Sequence, residues 1–236
     1  MVGYSQSDTT KKENHKLIIG VHGGLAGAVW WGDRKFRKQV GFNYRYQPII
    51  GFSTGPSFQY SIFNKISLFW ELNYDRIGST ILQPHYTGNS RNGGDLGTFE
   101  SDIFYDYISI PLMVKFKINK KMGVYVNIGC YLSYLINFNS FAYYPSNDRP
   151  ASYFHFESYY HYEDVKRHID QLPRFDCGLI TGLGWDIPIK KRLQFSIEVR
   201  NNLGVLLNYK KNENYIANPN RYNESFALLF GLAYKI

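Results

Sequence analysis

The sequence predicts an all-β protein: an eight-stranded antiparallel up-and-down transmembrane β-barrel with short periplasmic turns and long extracellular loops. Long stretches alternate apolar and polar residues with a period of two, which places each set on one face of a strand. These stretches reach or exceed the roughly 9–11 residues that a tilted strand needs to cross a bilayer. Long and short connections alternate between them, as they do in outer-membrane barrels.

The composition agrees with strands and turns. Of the 236 residues, 18% are aromatic and 21 are glycine, and aromatic residues favour strands over helices. The chain contains no run of about 18 apolar residues, so a transmembrane helix is excluded. Barrel strands alternate apolar and polar residues, so the unremarkable mean hydropathy does not argue against a membrane.

The formal net charge of +8 is scattered along the chain. Basic residues cluster at 34–38, 120–121 and 190–192, and the last two clusters fall in predicted tight turns. A nucleic-acid-binding protein gathers its charge on one face with aromatic platforms, so we expect no nucleic acid as partner. Basic connections suit the acidic headgroups of outer-membrane lipid and lipopolysaccharide, which are the expected partners.

A hairpin at 107–138 is the clearest feature of the chain. Its two arms flank a polar turn at 119–121. One face of the hairpin is apolar and carries Ile108, Ile110, Leu112, Val114 and Phe116 on the first arm, and Val124, Val126, Ile128, Cys130, Leu132 and Tyr134 on the second. The opposite face is mostly polar or small, so the two faces meet different surroundings.

Six further strands follow the same alternation. They are predicted at 16–30, 46–62, 66–77, 174–188, 192–206 and 224–236. The clearest is 66–77, which sets Trp70 and Leu72 on one face against Ser67 and Glu71 on the other. The even count and the alternating connection lengths place both termini on the periplasmic side of a Gram-negative outer membrane.

The segments outside the strands carry two further expectations. Residues 1–16 resemble the end of a signal peptide and a flexible leader, which leaves 17–236 as the barrel. The connection at 139–173 is the longest, and its segment 163–171 (EDVKRHIDQ) is predicted to form a short helix.

Charged residues on the face opposite the apolar one, here called the second face, distinguish a membrane barrel from a soluble one. A soluble lipocalin-like barrel also has eight strands, but it turns its apolar residues inward. Here the second face carries Glu71, Lys115, Glu198 and Arg200. Unpaired charges would be costly in a closed interior, so we expect these four to form an interior ion-pair network. A lumen filled in this way argues against an open pore.

Outward aromatic residues are expected to form girdles at the two membrane boundaries, where Tyr and Trp are enriched. Those near the short turns are Tyr60, Trp70, Trp185 and Tyr234, and those near the long connections are Tyr74 and Tyr134.

The two cysteines, Cys130 and Cys177, also fall on the outward face. A disulfide between them stays open, although two small apolar side chains are the simpler interpretation. Two cysteines without a CxxC motif do not form a zinc site on their own.

The six histidines are the candidates for catalytic and metal-binding residues. His22 faces inward and is expected to be a packed, hydrogen-bonded interior residue. His161 and His168 lie three or four residues from Asp164, a spacing typical of metal ligands but also common in solvated polar loops. The chain has no HExxH, GxSxG or phosphate-binding glycine motif, so we predict no enzymatic activity, no cofactor and no metal.

Several short motifs resemble the PorT-like outer-membrane barrel family of Bacteroidota. They are GVHGG at 20–24, YISIPL at 107–112 leading into KFK at 115–117, NIG at 127–129 and GLG at 182–184. The resemblance implies an outer-membrane barrel with periplasmic termini. It also implies a link to type IX secretion and gliding, with which the namesake of the family is associated. The family supplies no catalytic motif.

The expected function is therefore non-enzymatic: a structural or interaction subunit of a cell-envelope complex. Loops on a rigid scaffold usually carry recognition, so other envelope proteins are expected to bind the long connections, above all 139–173. Two alternatives remain: a lipid-modifying outer-membrane enzyme and a small channel.

Overall fold

The structure, a computed structural model, describes residues 17–31, 45–84, 98–119, 122–144, 154–156, 174–206 and 222–236. Within these ranges the regular structure consists of ten strands. They are β1 (Leu17–Trp31), β2 (Arg45–Ser61), β3 (Ile66–Glu71), β4 (Asn73–Pro84), β5 (Thr98–Asn119), β6 (Val124–Tyr144), β7 (Phe154–Phe156), β8 (Phe175–Pro188), β9 (Leu193–Gly204) and β10 (Tyr222–Lys235).

The sheet closes on itself because β1 pairs with both β2 and β10, antiparallel in each case. β3 and β4 follow each other along one line of the wall and together form a single strand position, because both pair with β2 on one side and with β5 on the other. The order around the wall is therefore β1, β2, β3 with β4, β5, β6, β8, β9 and β10. The predicted closed antiparallel barrel of eight strands is confirmed, and β7 is a short addition to the upper part of β6.

The strands on the long-connection side extend further than the sequence predicts. β4 continues to Pro84, β5 begins at Thr98 and β6 ends at Tyr144, so the connections predicted at 78–104 and 139–173 both begin within strands. β4 and β5 stay paired out to Pro84 and Thr98. Main-chain pairing does not need apolar side chains, which is why polar sequence concealed these extensions. The predicted leader at 1–16 and helix at 163–171 lie outside the described residues.

Two prolines explain why the predicted strand 66–77 is split at Leu72. The Leu72 N–H donates to the Pro56 carbonyl oxygen at 3.1 Å, but Pro56 has no N–H to return. On the other side, the register places Pro111 of β5 opposite Glu71. Each proline removes one ladder hydrogen bond, so the pairing is interrupted on both flanks of the same wall position.

The short connections and both described ends of the chain lie at one end of the barrel, here called the turn end. Phe63 N–H donates to the Ile66 carbonyl and Lys190 N–H to the Leu193 carbonyl, closing two of the turns at 3.0 and 3.1 Å. In the third turn Gly123 adopts a φ of 74°, a left-handed conformation that glycine accepts without strain. The opposite end is called the long-connection end.

The outer face is apolar and the inner face is polar. On the outside Val21 is 61% exposed and Ile50 is 72% exposed, whereas Asn127 and Arg200 on the inside are at most 3% exposed. Soluble proteins rarely expose contiguous apolar patches beyond a few hundred Å². The arrangement is the reverse of a soluble barrel and suits a wall surrounded by lipid. Within the described ranges, no helix is long and apolar enough to cross a membrane.

The outward aromatic residues and cysteines lie on the expected face. Tyr60, Trp185, Tyr234 and Tyr134 are each 43–50% exposed, while Trp70 stacks on Phe58 and Tyr74 packs on Phe52, with ring centroids 5.5 and 5.6 Å apart. Their alignment with the membrane boundaries stays a prediction. Cys130 and Cys177 are both free thiols. Their facing partners across β6 and β8 are leucines, Leu179 and Leu132, so the two cysteines do not lie directly opposite each other.

A charge placed at the middle of the outer face should destabilise the barrel strongly. Val199 lies at the middle of β9 and is 56% exposed. In a bilayer we expect Val199→Arg to lower the free energy of unfolding by about 2–4 kcal/mol, because a midplane arginine must leave water for hydrocarbon. The matched control, Ile189→Arg in a turn, should cost only about 0–1 kcal/mol. The measurement is denaturant unfolding of the protein folded into lipid vesicles, and equal costs at the two positions would contradict the lipid-facing assignment.

Candidate functional site

Arg200 is the central charged group of the interior. It lies on β9, is 3% exposed, and directs its guanidinium at two carboxylates. Nη1 and Nη2 donate to the two Glu71 oxygens at 2.6 and 2.8 Å, and Nε donates to a Glu198 oxygen at 2.7 Å. A two-point guanidinium–carboxylate contact is among the strongest side-chain hydrogen bonds. β3 and β9 lie on opposite sides of the eight-stranded wall, so the pair with Glu71 spans the lumen.

The two carboxylates that hold Arg200 accept further hydrogen bonds. Asn73 Nδ2 donates to Glu71 Oε2 at 2.9 Å. The Tyr125 hydroxyl and Asn127 Nδ2 donate to Glu198 Oε2 at 3.0 and 2.9 Å. These partners come in pairs two residues apart, because alternate strand residues face the same side. We call this group the Arg200 cluster; its members are Arg200, Glu71, Glu198, Asn73, Tyr125 and Asn127.

Lys115 does not pair with the other predicted network residues. Its Nζ lies 2.9 Å from each carboxylate oxygen of Asp186 on β8. The same Nζ lies 3.6 Å from the centre of the Tyr125 ring, a cation–π contact. Of the four predicted network residues, therefore, Glu71, Glu198 and Arg200 join directly. Lys115 reaches them only through Tyr125 and takes Asp186, which the sequence analysis did not include, as its ion-pair partner.

His22 faces the interior, as expected, and is 8% exposed. Its main-chain carbonyl accepts a hydrogen bond from the Thr54 hydroxyl at 2.9 Å, whereas neither ring nitrogen has a hydrogen-bond partner among the described residues. Nε2 lies 3.7 Å from Glu71 Oε2, within ion-pair range only if the ring is protonated. The expected inward position of His22 is therefore seen, and hydrogen bonding of its ring stays a prediction.

The Arg200 cluster separates two cavities inside the barrel. The cavity on the turn side is lined by Gln59, Phe69 and Gln194, together with the pair Lys115 and Asp186. The cavity on the long-connection side, here called the upper cavity, is lined by Asp75, Asp176, a set of serine, asparagine and tyrosine side chains, and apolar residues such as Ile77, Ile180 and Leu229. Arg200 lines both cavities, so the cluster forms the floor of one and the roof of the other.

The partners that the sequence analysis missed all had an inward signal. Asp186 and Tyr125 fall on the inner face by alternation, and Asn127 is two residues from Tyr125. Alternation does not predict the position of these residues along the barrel axis relative to Glu198 and Lys115 on other strands, which is here called their height. That height depends on the stagger between neighbouring strands, which a single strand does not encode.

The histidine-based metal and catalytic hypotheses of the sequence analysis concern residues that the structure mostly does not describe. Among the residues that it does describe, no group of three or more His, Cys, Asp or Glu residues is placed to hold a metal ion. His161, Asp164 and His168 lie outside the described residues, so the hypothesis built on their spacing stays a prediction.

Residues 4–208 match the family model described as "Outer membrane protein beta-barrel domain". The match spans most of the chain, and it agrees with the closed wall, apolar outside and polar inside, described above. The chain belongs to this family. Membership places the protein in the outer membrane of a Gram-negative bacterium.

The chain is similar in shape to several solved outer-membrane proteins. Ail of Yersinia pestis is 12% identical with a TM-score of 0.39, and the match covers 94% of this chain and 99% of Ail. OprG of Pseudomonas aeruginosa is 13% identical with a TM-score of 0.42, covering 94% and 97%. The protease OmpT of Escherichia coli is 9% identical with a TM-score of 0.39, covering 94% and 97%. No curated protein matches the sequence. At such identities residue roles do not transfer to this chain.

Replacing Arg200 alone should destabilise the barrel far more than replacing Arg200 together with Glu71 and Glu198. Arg200→Met leaves Glu71 and Glu198 buried without a counter-charge, so we expect it to lower the free energy of unfolding by about 3–5 kcal/mol. Adding Glu71→Gln and Glu198→Gln to that variant should recover most of the loss, because no uncompensated charge remains. Denaturant unfolding in lipid vesicles measures both effects.

The control variant is Arg192→Met. Arg192 is exposed and its Nη1 donates to the Tyr234 hydroxyl at 3.3 Å. Its replacement should cost less than about 1 kcal/mol, because polar contacts of exposed charged side chains contribute little. If the triple variant is no more stable than Arg200→Met alone, the charge-compensation argument is wrong.

Close packing of Tyr125 makes a second test possible. A Cβ added at Gly184 would lie 2.3 Å from the Tyr125 ring and hydroxyl, and Tyr125 is only 2% exposed. We expect Gly184→Ala to cost about 1–3 kcal/mol through overpacking. Gly27→Ala, where a Cβ meets nothing within 4 Å, is the matched control and should be near neutral. The readout is the unfolding midpoint, and similar shifts for both variants would refute the tight contact.

Proposed function

We propose that the protein is a closed outer-membrane barrel that serves as a structural or interaction subunit of a cell-envelope complex. The observation that supports this is the Arg200–Glu71 pair, which crosses the lumen and is held from the β9 and β6 sides by Glu198, Tyr125 and Asn127. A barrel of eight strands has room for little more than its own side chains. With the lumen blocked at the height of this pair, the outer wall and the connections are the surfaces available to other proteins.

In this proposal the turn end faces the periplasm and the long-connection end faces outward. Small outer-membrane barrels have this arrangement of short and long connections. The main-chain bond from Ile236 N–H to the Leu17 carbonyl, 2.9 Å long, ties the two ends of the barrel wall together at the turn end. Partner proteins then bind the long connections, including 139–173, and lipopolysaccharide surrounds the wall.

A narrower proposal follows from the motifs: membership of the PorT-like group and a link to type IX secretion. It rests on the YISIPL run, whose Pro111 interrupts the ladder beside Glu71 in the structure. A residue that shapes the wall next to the central charge pair is a reasonable feature for a group of related barrels to share.

Planar-bilayer recording tests whether the lumen is closed. We expect the wild-type protein to give no conductance steps, because the Arg200 cluster occupies the lumen. The variant Glu71→Ala, Glu198→Ala, Arg200→Ala removes the side chains that span it and should produce small steps, while Gly27→Ala should behave like wild type. Conductance steps from the wild-type protein that are as large as those of the triple variant would contradict the closed-barrel proposal and favour a channel.

Extraction of the native outer membrane in mild detergent tests the subunit role. A tag on the N-terminal segment allows purification, sizing and identification of whatever co-purifies. We expect a discrete assembly larger than one chain, containing other envelope proteins. If the protein elutes alone at monomer size after gentle extraction and after chemical cross-linking in intact cells, the subunit role is wrong.

A further inference from the structure

Three buried polar atoms on residues that line the upper cavity have no hydrogen-bond partner among the described residues: Asn73 Oδ1, Asp176 Oδ1 and Asn202 Oδ1. All three are acceptors. Buried polar groups in folded proteins are nearly always paired, so three free acceptors around one cavity point to a ligand that supplies positive charge or donors.

Asp176 is the most informative of the three. It is 4% exposed and lies on β8. Its Oδ2 accepts hydrogen bonds from Asn223 Nδ2 at 2.9 Å and from the Tyr131 hydroxyl at 3.3 Å, which leaves Oδ1 unused. Asp176 forms no ion pair with any residue that the structure describes. A buried carboxylate held by neutral donors alone carries a negative charge that no described residue pairs with.

The two asparagines are oriented so that their oxygens are the free atoms. Asn73 uses Nδ2 to bond Glu71 Oε2 at 2.9 Å, and Asn202 uses Nδ2 to bond Ser225 Oγ at 3.3 Å. Because each amide nitrogen is occupied as a donor, each carbonyl oxygen remains as an acceptor.

A second carboxylate adds to the negative charge. Asp75 lines the same cavity, where the hydroxyls of Ser53 and Ser109 hydrogen-bond to it. The cation bordering the cavity, Arg200, points Nε, Nη1 and Nη2 at Glu198 and Glu71 instead. Among the described residues, both aspartates therefore lack a salt-bridge partner.

The register places much of this polar surface in one row of the wall. Asn73 on β4 faces Ser109 on β5, Ser109 faces Ser133 on β6, and Ser133 faces Asp176 on β8. The Ser109 and Ser133 hydroxyls lie 2.7 Å apart and bond each other. Directly opposite residues on one face have Cβ atoms about 4.5–5.5 Å apart, so the row forms a continuous polar strip on one side of the cavity.

We propose that the upper cavity is a binding site for a small cation, held by the carboxylates of Asp176 and Asp75 and by the amide oxygens of Asn73 and Asn202. Carboxylate and carbonyl oxygens are the ligands that hard metal ions take. A primary ammonium group, with three donors and no acceptor, matches the same set. An anion does not fit, because the free atoms are acceptors and the charge is negative.

The turn-side cavity gives an internal contrast. There Lys115 lies against Asp186, so the acidic group has its own cation on the wall. Among the described residues, the upper cavity is lined by two aspartates and by no lysine. This difference is what singles out the upper cavity as the place for an external cation.

Isothermal titration of the purified, folded barrel in detergent tests the proposal with three probes: calcium chloride, potassium chloride and ethylammonium chloride. We expect saturable binding of at least one probe. Calcium or potassium binding identifies a metal site, and ethylammonium binding identifies an amine site. Asp176→Asn should weaken the binding about tenfold or more, because it removes the charge beside the free Oδ1.

The matched control is Asp106→Asn. Asp106 is equally buried, at 3% exposed, and losing its carboxylate changes the net charge identically, but it does not line the upper cavity. The affinity of the Asp106→Asn variant for the bound probe should stay within about twofold of the wild-type affinity. Asn202→Ala keeps the net charge and removes one free acceptor, so it should weaken binding by a smaller factor, and it serves in place of Asp176→Asn if that variant fails to fold. Folding of each variant is checked by its different gel migration before and after boiling.

Two results overturn the proposal. The first is the absence of saturable binding for all three probes, which leaves water as the occupant of the cavity. The second is equal affinity in wild type, Asp176→Asn and Asn202→Ala, which places any bound cation elsewhere on the protein.

Discussion

The contact between Arg200 and Glu71 is the constraint on which the interior depends. The two residues lie on opposite sides of an eight-stranded wall, and the guanidinium meets both carboxylate oxygens at 2.6 and 2.8 Å. Glu71 without Arg200 would carry an uncompensated buried charge at a cost of several kcal/mol. The wall must therefore close at a stagger that brings β3 and β9 to the same height, because any other stagger separates the charges.

The same contact offsets a weakness in the wall. Pro56 and Pro111 remove ladder hydrogen bonds on both sides of the wall position that holds Glu71 and Leu72. Such a break usually lies at an edge or a bulge, where fewer partners are lost. Here the residues that flank it are fixed from the inside, since Glu71 binds Arg200 and Asn73 binds Glu71. Side-chain bonds across the lumen thus hold a segment that main-chain pairing secures only in part.

Alternation of apolar and polar residues predicted the faces of the strands well, but not the heights at which residues meet. The inward positions of Glu71, Glu198 and Arg200 follow from a period of two, which is local. The pairing of Lys115 with Asp186 links β5 to β8 across the intervening β6, and it requires the stagger of the closed wall. The period itself fails beside Asp106, where a bulge leaves Tyr105 and Tyr107 buried together with the residue between them. The unmatched acceptors of the upper cavity were hidden for the same reason, because they become visible only when every neighbouring donor is placed.

The interior therefore consists of three layers that differ in how their charged groups are paired. On the turn side, Lys115 and Asp186 neutralise each other. In the middle, one guanidinium is shared by two carboxylates, which are further held by amide and phenol donors. On the long-connection side, Asp75 and Asp176 face a cavity whose free atoms accept and do not donate. Charge that is paired on the wall contributes rigidity, whereas charge left unpaired contributes affinity for something that arrives from outside. The layer nearest the long connections is thus the one whose state depends on its surroundings.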